Sequence, residues 1–419
     1  MDYIKYVENK LNNFFIKVYF PIGSIHEPKN KEGISHLLEH LKVTTTLNYS
    51  KQQFYKDLSN VVLKNAYTTH DHTCYYINSN DKEWKKIIDL MYNIAFSLNI
   101  NKERLEQEKN VVLQEMLYRN KLLIENNDSE DDISDEISIL GNDNPYKKSI
   151  IGTVKSIKNI KLKDVKKYNK KYLNDYLIVF SCKKKLKNNV FKYCQKIFKE
   201  PRKLVITIPE NTQLFDYKLL IRNIDFELYS FNLIFKSLNR LDEKNYLINF
   251  ILNSFRIHPG GLLMKELRMK KNYIYSINLE NISYKHYGNI YINTTTKSEK
   301  DLKNSIKIIL KLLNKLKKIG FGKDLDNYKK IYIKKLEFNK HNEELFDFVS
   351  KNLFYNRGFK LDNYIEKINK IKNEDIINIS KIIFDFNKFT LGILGNFNNT
   401  QKTEDIFYNI ISKQRKLEN

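Results

Sequence analysis

Strand-length apolar runs alternate with helical periodicities along this chain, and they do so twice in similar order. In the first half, strands are predicted at 14–20, 61–67, 73–78 and 176–181, and helices at 33–42, 50–58, 82–98 and 102–123. In the second half, strands are predicted at 228–236, 273–281, 289–296 and 389–394, with long helices over 299–318 and 324–340. Strands separated by helical hairpins predict an α+β fold, with helices packed on a mainly antiparallel sheet in each of two similar domains. Pro201 and Pro209 fall outside any helical pattern, which sets the expected boundaries at 1–200, a linker over 201–212, and 213–419. A chain of 419 residues is long enough for two such cores.

Composition narrows the function classes. Hydrophobic residues make up 42% and charged residues 29%, the balance of a globular chain, not a disordered one. No stretch approaches the roughly 18 consecutive apolar residues of a membrane span. The first residues lack a signal or transit pattern, so a cytoplasmic location is expected. Cys74, Cys182 and Cys194 form neither a disulfide framework nor a zinc-ligand pair. The net charge of +24 raises the question of nucleic acid, but no recognition motif accompanies it. The lysines, eight of them between Lys155 and Lys171, read as solvated faces, with a preference for acidic partners as the second reading. The acidic stretch from Glu125 to Glu136 likewise reads as a solvated surface.

Positions 36 to 40 read His-Leu-Leu-Glu-His. On a helix, residues i and i+4 lie one turn apart on one face, so His36 and His40 can converge on one metal ion. Glu39 lies beside them, within reach of a water at that ion. The order inverts the His-Glu-x-x-His zinc signature. Zinc suits two imidazoles, one carboxylate and an open position. A third ligand is expected from a second helix. Glu108 and Glu115, seven residues apart, share a face of one: Glu115 is the predicted ligand and Glu108 the supporting carboxylate that orients a ligand or the water.

Taken together, these segments resemble the pitrilysin/insulinase family of inverzincin zinc peptidases, above all its smaller bacterial members and the catalytic subunit of the mitochondrial processing peptidase. The resemblance begins at Pro21–Pro28, runs through Gly33-Ile34-Ser35 into the zinc helix, and returns at Asn65-Ala66-Tyr67-Thr68 and Thr73-Cys74-Tyr75-Tyr76. It continues at Asp143-Asn144-Pro145-Tyr146, Ile151-Gly152-Thr153 and Gly260 to Ser276. Leu41-Lys42-Val43-Thr44 departs from the family's usual Phe-Lys-Gly-Thr-like turn. His70 and His72 alter the hairpin turn and read as surface residues. The glycine-rich loop of the non-catalytic processing subunit is missing.

The resemblance implies one zinc ion per chain and a zinc endopeptidase with Glu39 as general base and then general acid. It implies a peptide substrate extended along the edge strand 61–68, contacted by Asn65 and Ala66, with Arg268 and Tyr275 near the scissile bond. It also implies a chamber closed by four such domains. Two chains are then needed, a homodimer or a heterodimer, with no nucleic acid and no membrane span. A catalytically silent structural subunit of the same family is the rival reading.

Overall fold

The structure, a computed structural model, describes residues 2–44, 63–125, 145–147, 149–202, 218–225, 227–256, 261–338 and 342–416. The helix predicted at 50–58, most of the 201–212 linker and most of the acidic stretch lie outside the described residues. Ten strands are described: β1 (Ile4–Glu8), β2 (Asn13–Phe20), β3 (Leu63–Thr68), β4 (Thr73–Asn80), β5 (Leu177–Cys182), β6 (Lys218–Asn223), β7 (Tyr229–Lys236), β8 (Asn278–Ser283), β9 (Gly288–Thr296) and β10 (Phe389–Gly395). They form two five-stranded sheets ordered β1-β5-β2-β4-β3 and β6-β10-β7-β9-β8. Adding five to each strand of the first gives the second. In both, one edge pair is parallel, β1 with β5 and β6 with β10, and the rest of the ladder is antiparallel. This is the duplicated, mainly antiparallel α+β fold expected.

The helices that follow in chain order are α1 (Ile34–Thr44), α2 (Trp84–Phe96), α3 (Lys102–Glu125), α4 (Val154–Asn159), α5 (Leu162–Tyr172), α6 (Lys187–Ile197), α7 (Asn245–Arg256), α8 (Glu299–Ile319), α9 (Leu325–Phe338), α10 (Glu343–Tyr355), α11 (Leu361–Asn369), α12 (Asn373–Ile383) and α13 (Thr400–Lys416). Among the described residues no helix is long and apolar enough to cross a membrane.

The chain packs as two units. One holds residues 1–117, 148–209 and 336–360; the other holds 118–147, 210–335 and 361–419. Each unit therefore includes a segment from the other half of the chain, which a single cut at a linker does not capture. In the first unit that segment is α10. It covers the second face of β2, a strand whose residues from Phe14 to Phe20 are all buried. Phe346 stacks on Phe15 at 5.3 Å and Phe354 on Tyr19 at 5.1 Å between ring centroids. Lys17 sits in this apolar surround because Asp347 of α10 pairs with it and the Tyr76 ring lies 5.0 Å from its ammonium.

Three strands differ from expectation. The strand predicted at 273–281 begins only at Asn278, because a π-helical turn (Met264–Met269) and the positive φ of Asn272 (54°) delay the extended backbone. Strands β1 and β6 were not predicted. Both are edge strands that put polar residues among their apolar ones, and no clean period marks them.

The start of α1 is fixed by a close backbone approach. Gly33 and Gly152 both have positive φ, 86° and 82°. A Cβ on Gly152 would lie 2.3 Å from the Glu32 carbonyl oxygen, and one on Gly33 2.4 Å from that of Ile151. Only glycine fits at either position. Gly152→Ala should destabilise the protein by about 2 kcal/mol or more through strain and contact, read as a lower urea midpoint.

Candidate metal centre

Helix α1 is anchored from outside its own sequence. The buried Glu27 carboxylate accepts the Gly33 N–H at 2.7 Å and the Ser35 N–H at 2.8 Å. It thereby satisfies orphan donors of the first turn and sets a negative charge against the positive helix end. Leu37, Leu38 and Leu41 enter the core, which turns His36, Glu39 and His40 together onto the other face. In α3, Leu105, Val112 and Met116 are buried, and that packing orients Glu108 and Glu115.

The predicted metal residues come together. His36 Nε2 lies 3.7 Å and His40 Nε2 3.4 Å from Glu115 Oε2. Ligand atoms about 2.0–2.1 Å from a tetrahedral zinc lie roughly 3.3 Å apart. One donor atom each from His36, His40 and Glu115 falls within 4.8 Å of the others. The residues present therefore fit a zinc ion. His40 turns its other nitrogen, Nδ1, toward Glu108 Oε2 at 3.8 Å, an orientation that leaves Nε2 free to ligate.

Burial alone would lower the His40 pKa, but the polar contact with Glu108 and the charges of Glu39, Glu115 and Glu108 together hold it above the ordinary imidazole value. Burial works against Glu108 in the same way, raising it. The polar contact with His40, the hydrogen bond from Thr44 and the Arg104 and His40 charges outweigh that and lower its pKa. Arg104 Nη2 lies 3.2 Å from Glu108 Oε1, and the Thr44 hydroxyl lies 3.0 Å from the same oxygen. Neither Arg104 nor Thr44 was singled out from the sequence, since an arginine four residues before a glutamate on a helix is commonplace.

Glu39, also buried, accepts a hydrogen bond from the Thr68 hydroxyl at 2.7 Å. Thr68 ends β3, the last strand of the first sheet, so the expected edge strand is one. Asn65 is exposed on it, and its Oδ1 accepts the Ala66 N–H at 2.8 Å. The reading of His70 and His72 as surface residues is corrected here: both are buried. His70 Nδ1 lies 2.9 Å from Ser24 Oγ, and His72 Nδ1 2.7 Å from Asp71 Oδ1. The Tyr355 hydroxyl of α10 donates to that same Asp71 carboxylate at 2.9 Å. The turn is buried because α10 covers it, and α10 comes from residues far along the sequence.

Residues 8–134 match the family described as Insulinase (Peptidase family M16), and residues 159–331 match the one described as Peptidase M16 inactive domain. The chain belongs to peptidase family M16. Among M16 relatives, an uncharacterized zinc protease of Bacillus subtilis, YmxG, is 24% identical over 381 residues, 88% of this chain and 90% of that protein. The mitochondrial-processing peptidase subunit beta of Saccharomyces cerevisiae is 27% identical over 186 residues, 44% of this chain and only 39% of that protein. A protease from Helicobacter pylori has the same fold, with a TM-score of 0.78 at 20% identity, covering 93% of this chain and 96% of that one.

In this M16 chain, Arg268 and Tyr275 belong to the second unit. Arg268 lies near the end of the π-helical turn, and its guanidinium lies 4.7 Å from the centre of the Tyr275 ring. Tyr275 is 78% exposed, unusual for so large a ring. Replacing Glu115 by Gln should lower zinc affinity by at least about 100-fold, and Glu108→Gln by about 10-fold to 100-fold. Competition with a chromophoric chelator measures both, and equal losses would contradict their different roles.

Proposed function

We propose that this chain is a zinc-dependent endopeptidase that cleaves short or unfolded peptides within a closed chamber. The observation that carries the reading is the convergence of His36 Nε2, His40 Nε2 and Glu115 Oε2, with the buried Glu39 carboxylate on the same helix face. Zinc held by those three side chains would supply a Lewis acid that polarises a peptide carbonyl and activates a water. Glu39 takes the proton of the attacking water on a carboxylate oxygen and passes it to the leaving nitrogen. Glu108 keeps the His40 ring turned so that Nε2 faces the ligand cluster. The substrate lies extended along β3 as an added strand, bonding the main chain near Ala66 with little demand on its sequence, and Asn65 contributes a side-chain contact.

A homodimer completes the site: Arg268 and Tyr275 of one chain donate hydrogen bonds to the oxyanion formed in the other. The exposure of Tyr275 supports this role, since it leaves the ring free to meet a partner. The second reading, a silent structural member of the family, draws on the match of the second half to a domain described as inactive.

Glu39→Gln should retain about one zinc per chain while cleavage of a quenched fluorescent peptide falls by about 10²- to 10⁴-fold. Bound zinc without cleavage in the wild type would favour the silent reading or a missing partner chain. The dimer has its own test. Mixing inactive Glu39→Gln and Arg268→Ala chains should recover about a quarter of wild-type activity if sites are completed between chains, and none if each chain is self-sufficient.

A further inference from the structure

A side-chain hydrogen bond from Thr68 to Glu39 links the edge strand to the helix of the general base. After β3, the Thr69 N–H donates to the His72 carbonyl at 2.8 Å, so Thr69 and His72 form a hydrogen-bonded pair. Hydrogen-bonded and non-hydrogen-bonded pairs alternate along an antiparallel ladder. With Thr68 opposite Thr73, Tyr67 opposite Cys74 and Ala66 opposite Tyr75, Thr68 and Ala66 turn their N–H and C=O groups away from β4, toward the edge. The Ala66 N–H agrees with this, since Asn65 Oδ1 accepts it at 2.8 Å.

Side chains alternate too, so Ala66 and Thr68 share one face of the strand. Ala66 packs on the core there, and the Thr68 hydroxyl donates to Glu39 Oε2 at 2.7 Å. The turn beyond Thr68 is held in place. Thr73 donates its hydroxyl to the Ile22 carbonyl at 2.9 Å, and Tyr355 grips Asp71.

We propose that Thr68 is a positioning residue that couples peptide addition at the edge strand to the general base. This rests on the peptidase reading above. The main chain of Thr68 faces the added peptide strand, while its side chain holds one oxygen of Glu39. The register of the peptide and the direction of the carboxylate are thus set by one residue. The hydroxyl holds one oxygen of Glu39 and so fixes the direction of the carboxylate.

The test compares Thr68→Val, which keeps the β-branched shape, with Thr68→Ser, which keeps the hydroxyl. In the zinc-loaded protein, the Val variant should lose about 10-fold or more in kcat with KM within about twofold of wild type. The Ser variant should recover most of that loss. Zinc content should be equal in all three, and peptide affinity measured in the Glu39→Gln background should not change when Thr68→Val is added. Wild-type kcat in the Val variant, a loss confined to KM, or a Ser variant as slow as Val would each overturn the proposal. If the Val variant does not fold, Thr68→Ala against Thr68→Ser gives the same comparison, since the two differ only by the hydroxyl. A zinc-loaded wild type that cleaves no peptide would overturn the reading of this chain as a peptidase without a separate partner chain, and this coupling with it.

Discussion

Three carboxylates and two imidazoles crowd one partly buried spot, and burying charge is costly unless each group is paired. Most of the surrounding architecture can be read as compensation. Arg104 and Thr44 bond Glu108, Thr68 bonds Glu39, and the imidazoles of His36 and His40 sit between the acids. Without a cation the cluster is rich in negative charge, which is why the His40 imidazole is held toward its protonated form. A divalent ion relieves the same excess, so the electrostatics and the donor geometry favour the same occupant.

The scaffold holds this cluster by fixing α1 at both ends and on one side. Glu27 bonds its first turn, Gly33 and Gly152 let the 151–153 segment touch its start, and Thr44 lies 2.8 Å from the His40 carbonyl in its last turn. Lys42, fully buried in the same helix, donates to the Ala95 carbonyl at 2.7 Å and so ties α1 to the end of α2. Burial pushes the Lys42 ammonium down to about 7. Helix register matters here because a small rotation of α1 would separate both imidazoles from Glu115.

Among the described residues, the second unit repeats the frame without a metal-type cluster. Helix α7 lies between β7 and β8 in the chain, as α1 lies between β2 and β3. Where α1 presents imidazoles and a carboxylate, α7 presents Asn245 and Asn249. Both accept hydrogen bonds from Asn281 of β8, at 3.2 and 3.0 Å. Neutral amides satisfy one another and need no cation. One topology thus carries a metal-type cluster in one copy and a self-contained polar clasp in the other.

Much of this was legible in the sequence because it is local. Helical periodicity alone puts His36, Glu39 and His40 on one face, and a seven-residue spacing does the same for Glu108 and Glu115. Alternation of apolar residues marked β2, β4 and β9, and the repeated order of elements marked the duplication. Tertiary structure alone decided which side chains met across elements: Thr68 with Glu39, Arg104 and Thr44 with Glu108, and α10 over the hairpin turn that buries His70 and His72. A hydroxyl or an arginine carries no period, and its role depends on which distant segment packs beside it. The sequence by itself determined the faces; only the packing of those faces decided which charges would be paired.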